Sequence, residues 1–162
     1  MSIDTDTTGI IRSIPGFGGL DDPAIAAIAS ASSLKSLSEG SYFYEEDDST
    51  NDIFFVVSGI VAIYTRHPAA RSSSREDDEE LLILRSGALF GVLSFLDGAR
   101  RDMNAMARER SLVLRMDGPL LKAACEADPV VGRAVYALLG KAAARIGRDL
   151  SMELRNLIAE KA

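Results

Sequence analysis

The sequence predicts an α+β fold in which an antiparallel β-roll, a double-stranded jelly-roll barrel, lies between at least one N-terminal helix and two C-terminal helices. Short runs of β-branched and aromatic residues alternate with turn residues between Leu34 and Met116, which is typical of an all-β barrel. On both sides of that stretch, apolar residues recur at helical spacing behind Asp-Pro or Asp-Gly-Pro starts. The 162 residues suffice for one domain with a sizeable core.

Composition and charge exclude several classes of protein. With 47% hydrophobic and 26% charged residues the chain is globular, and its net charge of −6 provides no field that attracts nucleic acid. One Cys and one His make neither an internal disulfide nor a zinc cage. The polar, acidic N-terminus is unlike a signal peptide, and no apolar run is long enough for a membrane span. We therefore expect a soluble, cytoplasmic domain.

The N-terminal part predicts a tail and one helix. Residues 1–9 are rich in Thr and Asp, and we expect a disordered tail there, followed by a single domain over 10–162. Asp21-Asp22-Pro23 combines capping carboxylates with a first-turn proline, so a helix should run from there to about Ser33. The barrel is expected over about 36–116 and the C-terminal helices over about 117–160.

Within the barrel, the strand candidates are short and separated by turns. They are Tyr42–Tyr44, Ile53–Val57, Ile60–Thr65 and Leu81–Leu84. Residues Pro68 to Glu80 contain no large apolar residue, so we interpret them as a long hairpin loop whose acidic half is a solvated surface.

The C-terminal part predicts two helices, the second unusually long. Asp117-Gly118-Pro119 opens the first, and Asp128-Pro129 opens another that runs to about Glu160, or roughly 45–50 Å at 1.5 Å per residue. An apolar stripe runs along it: Val131, Val135, Leu138, Ala142, Ile146, Leu150, Leu154 and Leu157. A second seam holds only small residues: Ala137, Gly140, Ala144, Gly147 and Ser151. Small residues at this spacing let another helix approach closely. We expect a homodimer through this helix, the alternative being that the seam lies against its own barrel.

Two segments resemble the cyclic nucleotide-binding domain family, known from catabolite-activator-type regulators and protein kinase A regulatory subunits. The segment 84–107 reads LRSGALFGVLSFLDGARRDMNAMA and resembles the family's phosphate-binding cassette, with matches at Gly87, Phe90, Gly91, Leu93, Leu96, Arg101 and Ala107. A second segment, Gly40 to Gly59, matches without a gap at Glu46, Asp48, Phe54, Ser58 and Gly59. The resemblance covers about residues 15 to 155.

The resemblance implies a ligand site at residues 87–107. In the family a cyclic phosphate lies on the amides that begin a short helix, an Arg contacts the phosphate, and a Glu accepts a hydrogen bond from the ribose 2′-hydroxyl. The implied ligand-binding residues here are Gly91, Val92, Leu93, Ser94, Arg101, Asp102 and Asn104. A cyclic nucleotide, cAMP or cGMP, is the implied ligand, and no covalently bound cofactor is expected.

The chain departs from the family pattern at several of these positions. Val92 stands where the family has its Glu, and Asp102, Met103 and Asn104 follow the Arg in place of small residues. Losing a charged acceptor for the ribose hydroxyl costs about 1.5–3 kcal/mol. A Val92→Glu substitution should therefore raise the affinity for cyclic nucleotides.

Each of these residues also has a structural interpretation. Arg101 can be an exposed barrel residue paired with Asp102 or Asp97, and Arg100 can replace it if the register shifts by one. Val92 can be a plain core residue.

Other kinds of site find little support. His67 is an exposed turn residue in our interpretation and not a haem ligand, and the lone Cys125 cannot hold an iron–sulfur cluster. The acidic group Glu45–Asp48 resembles a turn more than a cation site. Gly16–Gly19 lacks the strand and the Lys of a phosphate loop. We expect no metal and no enzymatic activity.

Two functions remain open. The first is a regulatory sensor in which a small phosphate-containing ligand at the cassette moves the C-terminal helices, which requires differential affinity for two arrangements. The second is a ligand-free scaffold for dimerisation or for a protein partner. Because the chain ends at Ala162, just past the long helix, we expect no helix-turn-helix domain and no direct DNA binding.

Overall fold

The computed structural model describes residues 3–66 and 78–162, which form five helices and eight strands. The helices are α1 (Ile3–Ser13), α2 (Asp22–Ser30), α3 (Val92–Asp97), α4 (Gly118–Ala127) and α5 (Pro129–Glu160). The strands are β1 (Ser32–Leu37), β2 (Tyr42–Tyr44), β3 (Ile53–Ser58), β4 (Val61–Arg66), β5 (Asp78–Leu84), β6 (Leu89–Phe90), β7 (Asn104–Ala107) and β8 (Ser111–Met116).

The strands form two antiparallel sheets of four. One has the order β1-β8-β3-β6 and the other the order β2-β7-β4-β5. The chain therefore passes repeatedly from one sheet to the other, as in a jelly roll. This arrangement, with helices before the roll and the long α5 behind it, confirms the predicted fold class.

Adjacent residues of β3 point into two different cores. Phe54 packs between the sheets, where its ring stacks on Phe90 at 4.9 Å between centroids. Phe55 points to the other face, into a cluster formed with the helices. Because side chains alternate along a strand, the sheet of β1, β8, β3 and β6 separates the roll interior from the helical core.

Three helices begin where the sequence predicted. The side chain of Asp21 accepts from the amide of Ala24 at 2.9 Å, that of Asp117 from Leu120 at 3.0 Å, and that of Asp128 from Val130 at 2.8 Å. In each helix a proline occupies one of the first two positions. These carboxylates satisfy amides that have no partner within the helix.

The N-terminal predictions were wrong in two places. Most of the segment expected as a tail belongs to α1, in which Thr7 and Ile11 are buried one helical turn apart. The helix expected to reach Ser33 ends at Ser30, and β1 begins at Ser32, where Ser32 to Leu37 pair with β8 residue by residue.

The β4–β5 hairpin differs from the prediction at one end. Strand β5 begins at Asp78 and not at Leu81, and Asp78 pairs with Arg66. The remaining part of the expected loop, together with His67, lies in residues 67–77, outside the described residues.

In the part of the chain that the structure describes, no helix is both long and apolar enough to cross a membrane.

Candidate functional site

The cassette backbone turns sharply at Gly91. This residue follows β6 with a φ of 77° and is the N-cap of α3. A Cβ here would lie 2.6 Å from the carbonyl oxygen of Asp52 and 3.1 Å from Nη1 of Arg101. Only glycine combines this left-handed conformation with such close neighbours.

Arg101 lies under this turn and is only 4% exposed. Its Nη1 donates to the carbonyl of Gly91 at 2.8 Å, and its Nη2 donates to the carbonyl of Asp52 at 2.7 Å. Its Nε lies 3.4 Å from Oγ1 of Thr50. The guanidinium also stacks on the ring of Tyr44, with Cζ 4.1 Å from the centroid. Arg101 therefore joins two other segments of the chain, at Tyr44 and at Thr50–Asp52, to the cassette.

The alternative expectation, an exposed Arg101 paired with Asp102 or Asp97, was wrong. It is buried, and among the described residues it makes no ion pair within 4.0 Å, with Asp102, Asp97 or any other carboxylate. Asp97 instead accepts from the amide of Ala99 at 2.9 Å. The register does not slip either, since Arg100 is exposed and donates to the carbonyl of Asp47 at 2.7 Å.

Burial affects the titration of the two stacked groups. Desolvation lowers the pKa of Arg101 from its ordinary value, although Tyr44 and nearby carboxylates partly oppose this. Desolvation likewise raises the pKa of the Tyr44 phenol to about 12, against the opposing charge of Arg101. At neutral pH the pair is thus a neutral phenol under a cationic guanidinium.

The acidic turn at residues 45–48 positions the backbone of Arg101. The Arg101 amide donates to the carbonyl of Asp48 at 2.9 Å, and the amide of Asp47 donates to the carbonyl of Arg101 at 2.7 Å. The carboxylate of Asp48 accepts from the amide of Glu45 at 2.9 Å. Among the residues whose side chains the structure describes, no three His, Cys, Asp or Glu side chains form a cluster that could hold a metal ion.

Asp52 connects the cassette to α4. Its carbonyl accepts from Arg101, while Oδ2 of its carboxylate accepts from Nε of Arg115 at 2.8 Å. Its Oδ1 accepts from the amide of Gly118, the first residue of α4, at 2.9 Å. One residue therefore contacts the buried guanidinium on one side and a helix N-terminus on the other.

A cleft opens between the cassette and α5. It contains about 490 Å³ of space, part of it open to solvent. The cassette contributes Leu89, Phe90, Gly91, Val92, Leu93, Ser94, Arg101, Asp102 and Met103. The remaining walls come from other elements, through Tyr44, Ile63, Leu82, Leu84 and Ile146.

The structure brings six of the seven sequence-predicted residues to this cleft. Gly91, Val92, Leu93, Ser94, Arg101 and Asp102 all line it. Asn104 does not, because it is buried beside the acidic turn, where its Oδ1 accepts from the amide of Glu46 at 2.9 Å. Val92 lines the cleft and is also 1% exposed within the helical core.

Sequence reasoning missed the residues that reach the cleft from distant segments. Tyr44 was interpreted only as part of a strand before a turn, and Leu82 and Leu84 only as a strand. Ile146 was placed in the apolar stripe of the long helix, but nothing in the sequence shows that this position faces the cassette.

The two halves of α5 have different surroundings. Val131, Val135 and Leu139 are buried in the helical core, whereas residues 151–162 are all exposed. The small-residue seam is exposed too, and a Cβ at Gly140 or Gly147 would meet no atom within 4 Å in the described part of the chain. The alternative expectation, that this seam packs against its own barrel, was wrong.

Solved structures share this fold at low sequence identity. A cyclic nucleotide-binding domain from Methylobacillus flagellatus matches with a TM-score of 0.75 and 17% identity, over 94% of this chain and 83% of that one. The regulatory domain of Toxoplasma gondii protein kinase A, crystallised with cAMP, matches with a TM-score of 0.69 and 14% identity, over 90% and 50%. The regulatory subunit of a cAMP-independent protein kinase A from Trypanosoma brucei matches with a TM-score of 0.66 and 16% identity, over 83% and 47%.

This chain thus spans about half the length of the two kinase proteins. No curated protein matches its sequence. The family model for the cyclic nucleotide-binding domain, however, matches residues 34–128, a stretch that contains the whole roll after the start of β1, the cassette and α4. The chain therefore belongs to the cyclic nucleotide-binding domain family.

Proposed function

We propose that this domain is a non-enzymatic sensor in which a small anionic ligand binds beside Arg101 and changes the position of α5. One observation carries the proposal: the same cleft is bounded by the cassette, by the buried guanidinium of Arg101 and by Ile146 of α5. A ligand in that space would contact the turn at Gly91 and the long helix at once. Phosphate-containing ligands such as cAMP and cGMP are the first candidates, because of the family and because the Toxoplasma gondii relative was crystallised with cAMP.

The coupling to α5 has a second support in the contact between α3 and α5. The rings of Phe95 on α3 and Tyr136 on α5 lie 6.1 Å apart between centroids. A ligand that favours one position of α3 over another thereby favours one position of α5. The shift it produces is limited by its differential affinity for the two states.

The direct test combines stability with a local fluorescent reporter. A ligand at one hundred times its Kd adds about 2.7 kcal/mol to the free energy of unfolding, so cAMP or cGMP should raise the melting temperature. Because the chain has no Trp, Tyr136→Trp places a single reporter at the α3–α5 contact, and its emission should shift when ligand binds. Lys35→Trp, on the exposed side of β1, is the control that should not respond.

The function fails this test if neither the melting temperature nor the Tyr136→Trp emission changes with any anionic ligand tried. A rise in melting temperature with a silent reporter would keep ligand binding but contradict the coupling to α5.

The Val92 position tests whether cAMP fits the cleft. Because Val92 is 1% exposed, a Glu there would bury a carboxylate and cost stability. Val92→Gln supplies a neutral acceptor instead, and should raise the affinity for cAMP by roughly tenfold, as measured by calorimetry. Val92→Leu is the matched control with no acceptor and should give no gain. An equal affinity in both variants would contradict a hydrogen bond at this position.

A second candidate function is a ligand-free scaffold that dimerises through α5. Arg101 already donates to two backbone carbonyls within the chain, so the cassette is held together without a ligand. The second half of α5 exposes four large apolar side chains, namely Met152, Leu154, Leu157 and Ile158. The Trypanosoma brucei relative, described as cAMP-independent, shows that the fold also occurs in such a protein.

The dimer is tested by filling the seam. The double substitution Gly140→Leu and Gly147→Leu adds side chains where the monomer has open space, so each domain should stay folded while the close helix–helix contact is blocked. Sedimentation should show a wild-type dimer and a variant monomer. A wild-type chain that is monomeric at high micromolar concentration would contradict dimerisation.

The remaining assignments are proposals of the same standing. We propose a cytoplasmic protein without enzymatic activity and without direct nucleic-acid binding, organised as a single domain. The free, buried thiol of Cys125 fits a reducing compartment.

A further inference from the structure

The walls of the cleft beside Arg101 are mainly apolar. Leucine, methionine and isoleucine side chains from three different segments face the space, contributed by Leu82, Leu84, Leu89, Leu93, Met103 and Ile146. The polar side chains on the wall, besides Arg101, are those of Tyr44 and Ser94, which are buried, and the exposed carboxylate of Asp102. Burying an apolar ligand against such a surface is favourable, whereas the surface offers few hydrogen-bond partners for the hydroxyl groups of a ligand.

A buried cation, Arg101, also lines this apolar cleft. Arg101 is 4% exposed, and among the described residues no carboxylate comes within ion-pair distance of it. Its partners are two carbonyls, one hydroxyl and an aromatic ring, which satisfy donors but do not neutralise the charge. In a region of low dielectric constant, an anion placed nearby would interact strongly with it.

We propose that the cleft takes an organic monoanion with an apolar body, such as an aromatic or medium-chain carboxylic acid, in preference to a nucleotide. This inference rests on the proposed ligand-sensing function and specifies the chemical class of the ligand. The anionic group lies beside Arg101, and the apolar body covers the leucine wall up to Ile146. A ribose hydroxyl buried against such a wall without a partner would lower affinity by about five- to a hundredfold.

Calorimetry with three probes tests the class of ligand. The probes are 1-naphthylacetate, its neutral analogue 1-naphthylacetamide, and cAMP. We expect 1-naphthylacetate to bind at least about tenfold more tightly than the amide, because only the acid pairs with the guanidinium. We expect it to bind more tightly than cAMP as well.

Two variants locate the site. Arg101→Met removes the charge, but it also removes the bonds to Gly91 and Asp52, so its fold must be checked by circular dichroism. Ile146→Glu avoids this difficulty, since Ile146 is only partly buried. It places a second anion on the cleft wall and should weaken 1-naphthylacetate binding by at least about tenfold. Leu150→Glu, one turn further along α5 and outside the cleft lining, is the matched control and should bind as the wild type does.

The outcomes separate this inference from the proposed function. Tighter binding of cAMP than of 1-naphthylacetate overturns the inference and leaves the ligand sensor in place. Equal binding of the acid and the amide also overturns it, because Arg101 would then play no part. If Ile146→Glu and Leu150→Glu weaken 1-naphthylacetate binding equally, the ligand does not lie in the cleft beside Ile146, and the inference is overturned. If no probe binds at millimolar concentration, the inference fails, whereas the sensor fails only if no other anionic ligand changes the melting temperature or the Tyr136→Trp emission.

Discussion

The two halves of α5 carry the same kind of apolar pattern but meet different surroundings. In the first half, Val131, Val135 and Leu139 are at most 1% exposed because the helical core lies against them. In the second half, Leu154 and Ile158 are 59% and 61% exposed. An amphipathic stripe therefore specifies that a helix needs a partner, but not whether its own chain supplies one.

The largest expected effect comes from removing a buried side chain of the first half. Leu139→Ala should lower the free energy of unfolding by about 2–5 kcal/mol, because it leaves a cavity in the helical core. Leu154→Ala is the matched control in the second half, and within the monomer it should change stability by less than about 0.5 kcal/mol. Urea denaturation of dilute protein measures both. Similar losses for the two variants would remove the distinction between the halves.

The second half should matter for association instead. Replacing Leu154 and Ile158 together by Ser should weaken the proposed dimer by at least about a hundredfold, since each large side chain contributes about 1.5–3 kcal/mol when buried. Concentration-dependent sedimentation is the measurement. Replacing Met152 and Leu157 together by Ser is a second test of the same interface. If neither pair affects association while a dimer persists, the interface lies elsewhere.

Two glycines of α5 provide an even closer comparison. Gly132 lies in the first half, where an added Cβ would come 2.7 Å from the carbonyl oxygen of Cys125. Gly132→Ala should therefore destabilise the domain by about 1–3 kcal/mol. Gly147→Ala has open space around it and should stabilise the monomer by up to about 1 kcal/mol, because alanine favours the helix. The melting temperatures of the two variants, measured on dilute protein, should shift in opposite directions. A shift in the same direction would contradict the difference in packing around Gly132 and Gly147.

The smallest effect concerns thiol reactivity along the same region. Burial raises the pKa of the Cys125 thiol, and the charge of Glu126 adds to this. At pH 8.5 the thiolate fraction is reduced, so iodoacetamide should alkylate Cys125 more slowly than an exposed cysteine placed at Ser151 in a Cys125→Ser background.

The same shift has a consequence for stability. Because the pKa of the Cys125 thiol is raised in the folded state, this thiol leaves the free energy of unfolding unchanged at pH values well below its unfolded pKa of 9.0. As the pH rises further, it lowers the free energy of unfolding. An alkylation rate equal to that at position 151 would contradict the burial of Cys125.

The features that sequence predicted are those encoded by neighbouring residues. The three carboxylate caps were evident because an Asp precedes each Pro closely. Gly91 and Arg101 were found through the cassette pattern. The stacking of Tyr44 under Arg101 was not, because the two residues lie far apart in the chain and no local pattern joins them.

The errors have physical causes as well. Helix α1 was missed because its Thr and Asp residues have low helix propensity, and the helix is stabilised instead by the burial of Thr7 and Ile11. Arg101 was expected at the surface as one alternative, because arginine is seldom fully buried. Here two carbonyls and an aromatic ring compensate its burial.

The pairing of β1 with β8 bears on how the domain folds. Ser32 pairs with Met116, and β8 also lies between β1 and β3. This sheet cannot be completed until residues 111–116 have been synthesised and have returned to the start of the chain. Such non-local pairing slows folding relative to a helical domain of the same size. Until it forms, β1 and β3 both present unpaired edges, so a chain stalled before Ser111 is the species most prone to aggregate.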